Sequence, residues 1–357
     1  MRLKVVILFG LIISIVACNS SDDSNEYVAT PQPLEIPELF SQFLSEPVIP
    51  ASNPQTEEGV ALGRKLFFDP VLSGNGTQAC ADCHRPQNAF SDPLQFSVGI
   101  DGIEGFRNSM PLQNLAWNFQ EKFNWNGSAT TLEKQIFEPV TNPIEMNNTW
   151  PNVVASLQNH NEYPTLFNDA FGSSTIDSVL VTKAIAQFVR TLTSADSRFD
   201  RHLLGETILT PQELNGFNVF MDEDRGDCFH CHGNSFNPLW TDNTFHNNGL
   251  DESFTDLGLG SVTGDPRDNG KFKAPSLRNL AFTAPYMHDG RFETLEEVIN
   301  HYSEGLVFSE TIDPLMKAVA QGGVQLSEED KADLKAFLLS LSDPEFINNP
   351  DFQDPNE

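Results

Sequence analysis

The chain has 357 residues, with 21 Lys and Arg set against 50 Asp and Glu, a formal charge of -29. Such an acidic chain repels nucleic acid and anionic lipid and attracts basic partners, with a strong dependence on salt. With 20% charged and 39% hydrophobic residues it is a folded globular chain rather than a disordered acidic tail, and its length suits two domains.

The first element in chain order is an export signal. Arg2 and Lys4 precede an apolar run from Val5 to Val16, shorter than the roughly 20 residues a spanning helix needs. Ile15-Val16-Ala17-Cys18 resembles a lipoprotein cleavage box, so residues 1–17 read as the signal and Cys18 as a lipidated N-terminus. A plain secretory signal with an incidental cysteine is the other reading. Lipid on Cys18 would hold the exported protein to a membrane, in the periplasm or at the cell surface, without a transmembrane helix. Residues 18–52 read as a tether.

Thr56 is predicted to cap a helix carrying Val60, Leu62, Leu66 and Phe67. Gly74-Asn75-Gly76 breaks the chain before Cys80-Ala81-Asp82-Cys83-His84. Thr130 and Glu133 are placed as a capping box for a helix through Gln135 and Ile136, and Val179 to Leu192 is amphipathic at helical spacing. The halves are expected to meet near Gly205. A second capping box, Thr210 with Glu213, opens a helix that ends before Cys228-Phe229-His230-Cys231-His232. Further helices are predicted over Leu295 to Tyr302 and after Ser327, and the acidic tail beyond Asp343 is expected at the surface. No strand with sustained alternation is visible. The fold class expected is mainly α, with two cytochrome c-like haem domains (53–205 and 206–344) packed around an interface and a tail at 345–357.

The two Cys-x-x-Cys-His runs carry the chemistry. Two thiols three apart at the start of a helix meet the two vinyl groups of one haem, and the next residue points its imidazole at the iron. Cys80, Cys83 and His84 would hold one haem c, and Cys228, Cys231 and His232 a second. Of five cysteines these motifs use four and Cys18 is the fifth, so none is left for a disulfide. Two Cys pairs can also make a four-thiolate zinc site; the His after each second Cys and the export signal count against it. Composition does not assign the sixth iron ligand, because Met110, Met146, His160, His202, His246, Met287, His288 and His301 are all available.

From about Gly59 to Ser342 the sequence resembles the bacterial di-haem cytochrome c peroxidases and their MauG-type relatives. The resemblance rests on Leu62 to Pro70, the two haem motifs, Arg107-Asn108, Trp125-Asn126-Gly127, Asn142 to Met146, Ala274 to Asn279 and Ala284 to Gly290. It implies that the first haem reacts with peroxide and the second receives electrons. It implies Glu145 as the distal acid–base group, Gln135 as its hydrogen-bonding partner and Trp125 as the residue between the haems. It also implies a calcium ion held by Asn108 and the carbonyls of Thr283 and Pro285, a choice that suits hard oxygen ligands.

Two positions depart from the better-known peroxidases. Ile100 stands where a His occupies the resting distal site, so the first iron is expected to be open. Tyr302 stands where a Met ligates the second iron, as a Tyr does in MauG, with His301 or Met287 as the alternatives. A phenolate ligand would stabilise ferric iron and favour higher oxidation states. The leading function is reduction of hydrogen peroxide with electrons from a small cytochrome c or a cupredoxin, by a chain that pairs in a homodimer. A MauG-like oxidase acting on a protein and a non-enzymatic electron carrier are the alternatives.

Overall fold

The computed structural model describes residues 27–356; the export signal and Cys18 lie outside the described residues. Among the described residues no helix is long and apolar enough to cross a membrane. The architecture is mainly helical. Its one sheet among the described residues is an antiparallel pair, Phe245–His246 with Phe272–Lys273.

The N-terminal half is built on two helices. Thr56 Oγ1 accepts the Gly59 N–H and opens Glu57–Phe68, whose Glu57 and Glu58 meet the positive end of the helix dipole. Leu62, Leu66 and Phe67 form its buried stripe. It lies against Ser178–Thr191, capped by Asp177. Gly63 sets the approach, because a Cβ there would stand 1.9 Å from the Ala184 carbonyl oxygen. Leu132–Thr141 joins this pair and carries Gln135. Its cap is Thr131, one residue later than the expected box, whose Oγ1 accepts the Lys134 N–H. Glu133 instead turns its carboxylate to the buried Arg190, at 2.8 Å. An ion pair out of water outweighs one exposed capping bond.

The C-terminal half has a separate core. Thr210 and Glu213 form the expected capping box over Pro211–Met221, and Ser327 caps Glu328–Ser340. Phe217 and Phe220 set their rings 5.4 and 5.1 Å from Phe337. Phe199, on Arg198–Leu203, is buried in this second core. The expected helix over Leu295 to Tyr302 ends at Asn300 and widens into a π turn, His301–Gly305.

Two segments that the sequence leaves at the surface are packed. Within the expected tether, the Thr30 carbonyl accepts the Glu57 N–H, and the helix Glu38–Phe43 buries Phe40 against Trp117, with ring centres 5.0 Å apart. Within the expected surface tail, Asp343 accepts from Ser194 Oγ and the Ala195 and Asp196 N–H groups. Phe346 and Phe352 then enter the first core, 5.8 and 6.5 Å from Phe90. The acidic composition of both segments hides a few large apolar side chains whose burial outweighs it.

Candidate functional site

Cys80–Cys83 is a single helical turn, and the Ala79 N–H just before it donates to the Asp82 carboxylate at 2.7 Å. The turn aims both thiols and the His84 ring into a cavity of about 380 Å³, within the range of small-molecule and cofactor sites. Phe67, Leu72, Leu112, Ile136, Val140, Ile185 and Val189 supply apolar wall. Burial pushes the Cys80 thiol up to about 12 and the Cys83 thiol up to about 11. His84 Nδ1 lies 2.9 Å from the Phe90 carbonyl oxygen. That contact makes Nδ1 the donor and leaves the lone pair of Nε2 for a metal.

The same cavity brings together the residues singled out from the sequence. Gln135, Glu145 and Trp125 all line this cavity. Asn142 Nδ2 donates to Glu145 Oε1 at 2.7 Å. The surrounding protein raises the Glu145 carboxyl above the usual carboxylate range, and the nearby Glu138 adds to this against the Asn142 bond. Glu145 is solvent-accessible in the chain alone, and part of that accessible surface is cavity wall. Pro139, four residues after Gln135, has no N–H for the Gln135 carbonyl.

Ile100 is not part of the wall. Its N–H donates to the Glu145 carbonyl at 3.0 Å, and Gly99 beside it passes so close that a Cβ would lie 1.8 Å from the Ile144 oxygen. His84 is the single imidazole among the cavity's lining residues. Trp125 is buried, donates from Nε1 to the Asn108 carbonyl at 2.7 Å and accepts the Lys273 N–H at 2.9 Å. Asn108 gives its Nδ2 to the Leu94 and Gln95 carbonyls, and Thr283 is buried.

At the second motif, burial pushes His232 down to about 4, so its ring is neutral, as a metal ligand must be. Its Nδ1 has no hydrogen-bond partner among the described residues. Burial pushes the Tyr302 phenol up to about 12, against the Asn248 hydrogen bond, with the Cys231 and Cys228 sulfurs close by. All three candidate sixth ligands meet at Asn248, a residue that sequence reasoning passed over. Its Nδ2 donates to Tyr302 Oη at 3.1 Å and lies 3.6 Å from Met287 Sδ, while its carbonyl is 3.1 Å from His301 Nε2. His246 is held between Asp242 and Asp313 at 2.9 and 2.6 Å, and His288 stacks on Phe272 at 3.6 Å.

The donor set fits haem c at both motifs. The four cysteines of the two motifs are free, and the described residues hold no cluster of three or more His, Cys, Asp and Glu side chains able to share one metal ion. The two Cys pairs therefore do not converge on a zinc. What each pair has instead is a neighbouring neutral imidazole in an apolar setting.

Residues 57–208 match the di-haem cytochrome c peroxidase family. The chain is 37% identical to the methylamine utilization protein MauG of Methylophilus methylotrophus, over 82% of this chain and 84% of that one. It is 32% identical to the cytochrome-c peroxidase IdrP1 of Pseudomonas sp. strain SCT, over 85% and 86%. A crystal structure of a MauG-like protein associated with microbial copper homeostasis superposes with a TM-score of 0.81 at 37% identity, covering 88% of this chain and 98% of that one. The chain belongs to the di-haem cytochrome c peroxidase and MauG family, and two haem c groups are its cofactors.

Proposed function

We propose that this chain is a peroxidase that reduces hydrogen peroxide at the Cys80–His84 site, with electrons entering through the Cys228–His232 site from a small cytochrome c or cupredoxin. The observation that carries this reading is one cavity lined by Cys80, Cys83 and His84 together with Gln135 and Glu145. When bound, haem c supplies the iron at which the O–O bond is reduced. Each peroxide takes two electrons and two protons and leaves as two waters. Glu145 moves a proton between the two peroxide oxygens, a task suited to a carboxyl raised above its usual range at a cavity wall. Gln135 orients the peroxide through its side-chain amide. Trp125, tied to both halves through Asn108 and Lys273, is the path between the sites.

Glu145→Gln keeps the shape and removes the base. It should slow peroxide-dependent oxidation of reduced cytochrome c by about 10²–10⁴-fold while both haems stay attached. Near-normal turnover would refute the role of Glu145.

Tyr302 and Ile100 favour a second reading, a MauG-like oxidase acting on a protein. Tyr302 lies beside the second Cys pair with Asn248 on its oxygen, and no second imidazole lines the first cavity. A long-lived oxidised species with negligible cytochrome oxidation would select this reading, and turnover from the fully ferric protein would select the first. The rest of the proposal is an exported, Cys18-lipidated homodimer in the periplasm or at the cell surface, with one calcium ion held by Asn108, Thr283 and Pro285. Asn108 spends its amide nitrogen on Leu94 and Gln95, which turns its Oδ1 to acceptor duty.

A further inference from the structure

Two side chains that carry a cationic group stand in the wall of the first cavity, Arg107 and Lys273. Arg107 is already answered, with Nε and Nη2 donating to the Asp256 carboxylate at 2.7 and 2.8 Å. Lys273 is not. It belongs to the C-terminal half, on the short strand paired with Phe245–His246, yet it lines the cavity of the first motif. It is 4% exposed. Its Nζ donates to one neutral acceptor, the Lys122 carbonyl at 2.7 Å, and stands 5.8 Å from the Phe123 ring centre.

No carboxylate pairs with Lys273 among the described residues. Glu138 and Glu145 share the cavity, but Glu138 binds Asn124 and Glu145 binds Asn142. An ammonium out of water with one neutral acceptor for three donors is costly to hold unless an anion meets it. Burial accordingly pushes Lys273 down to about 7, with the charge of Asp242 opposing. The haem that attaches to Cys80 and Cys83 brings two propionate carboxylates to this cavity.

We propose that Lys273 is the counter-ion of a propionate of the first haem, a clamp that the C-terminal half places on the cofactor of the N-terminal half. The pairing satisfies the buried ammonium, and it holds that propionate ionised where protein would otherwise favour its neutral form. The same strand residue gives its N–H to the Trp125 carbonyl at 2.9 Å, so the clamp and the residue between the sites form one unit. A fixed cation beside the ring also stabilises ferrous relative to ferric iron, which raises the potential of the first haem. Lys273 is a positioning and tuning residue in this account. The inference rests on haem attachment at Cys80–His84 and not on peroxide turnover.

The test compares Lys273→Gln and Lys273→Arg in the holoprotein, with haem content, the first haem's midpoint potential and the carboxylate bands of its reduced-minus-oxidised infrared spectrum as readouts. Lys273→Gln should keep two haems, lower the first potential, shift a propionate band and make the potential more dependent on pH near neutrality. Lys273→Arg should retain the wild-type potential and band. An unchanged potential and unchanged bands in Lys273→Gln would overturn the proposal. Equal losses in both variants would also overturn it, since they would assign Lys273 to packing rather than charge. If Lys273→Gln fails to load haem, Lys273→Met and Lys273→Arg are compared for haem content. Loading by both or by neither contradicts the clamp, and loading by Arg alone supports it.

Discussion

Arg278→Met tests how the second core is held. Arg278 Nη1 and Nη2 meet both oxygens of Asp200 at 2.7 Å each, and Nε donates to the Pro238 carbonyl at 2.6 Å. The side chains are 0% and 1% exposed. Removing Arg278 leaves the Asp200 carboxylate buried with Ser197 as its remaining donor, through N–H and Oγ at 2.8 and 2.7 Å. Breaking a buried pair from one side costs about 3–5 kcal/mol, a large share of a typical domain's stability of about 5–15 kcal/mol. The sign with pH follows from Asp200. Burial alone would raise its carboxyl, but the charge and hydrogen bonds of Arg278 hold it below the usual range. Its contribution is therefore present above the ordinary carboxylate value and lost as pH falls through the folded value. In Arg278→Met the burial remains without the cation, so the gap between variant and wild type should narrow as pH falls from 7 toward about 4. Urea unfolding of the holoprotein, followed by far-ultraviolet circular dichroism at several pH values, measures both effects. A loss below about 1 kcal/mol at pH 7, the size of an exposed ion pair, would refute the reasoning, as would a gap that does not narrow.

Asn142→Ala removes the hydrogen bond that lowers the Glu145 carboxyl against burial. The acid limb of the peroxide turnover profile should move to higher pH, and an unmoved limb would separate Glu145 from that limb. Tyr302→Phe should raise the potential of the second haem and change its spectrum alone, because a phenolate stabilises ferric iron; an unchanged spectrum would pass the ligand role to Met287 or His301. Phe346→Ala should cost about 3–5 kcal/mol by denaturant titration, because its ring is buried against Phe90 and Phe352. A loss under about 0.5 kcal/mol would mean that the tail is a surface element.

The sequence by itself determined what is local. Each Cys-x-x-Cys-His run names its own haem, and Thr56, Thr210 and Ser327 mark the helix starts because a cap and its helix lie within four residues. The resemblance carried Gln135, Glu145 and Trp125, and the fold brings them to one cavity. Tertiary structure decided whatever depends on partners far apart in the chain. Glu133 left its expected cap for Arg190, 57 residues away. The tail went into the first core because Phe346 and Phe352 find Phe90 there. Nothing in the sequence sets Lys273 apart from any other lysine. Only the fold takes its ammonium out of water into the first cavity, and burial without a counter-ion among the described residues is what gives that residue its meaning.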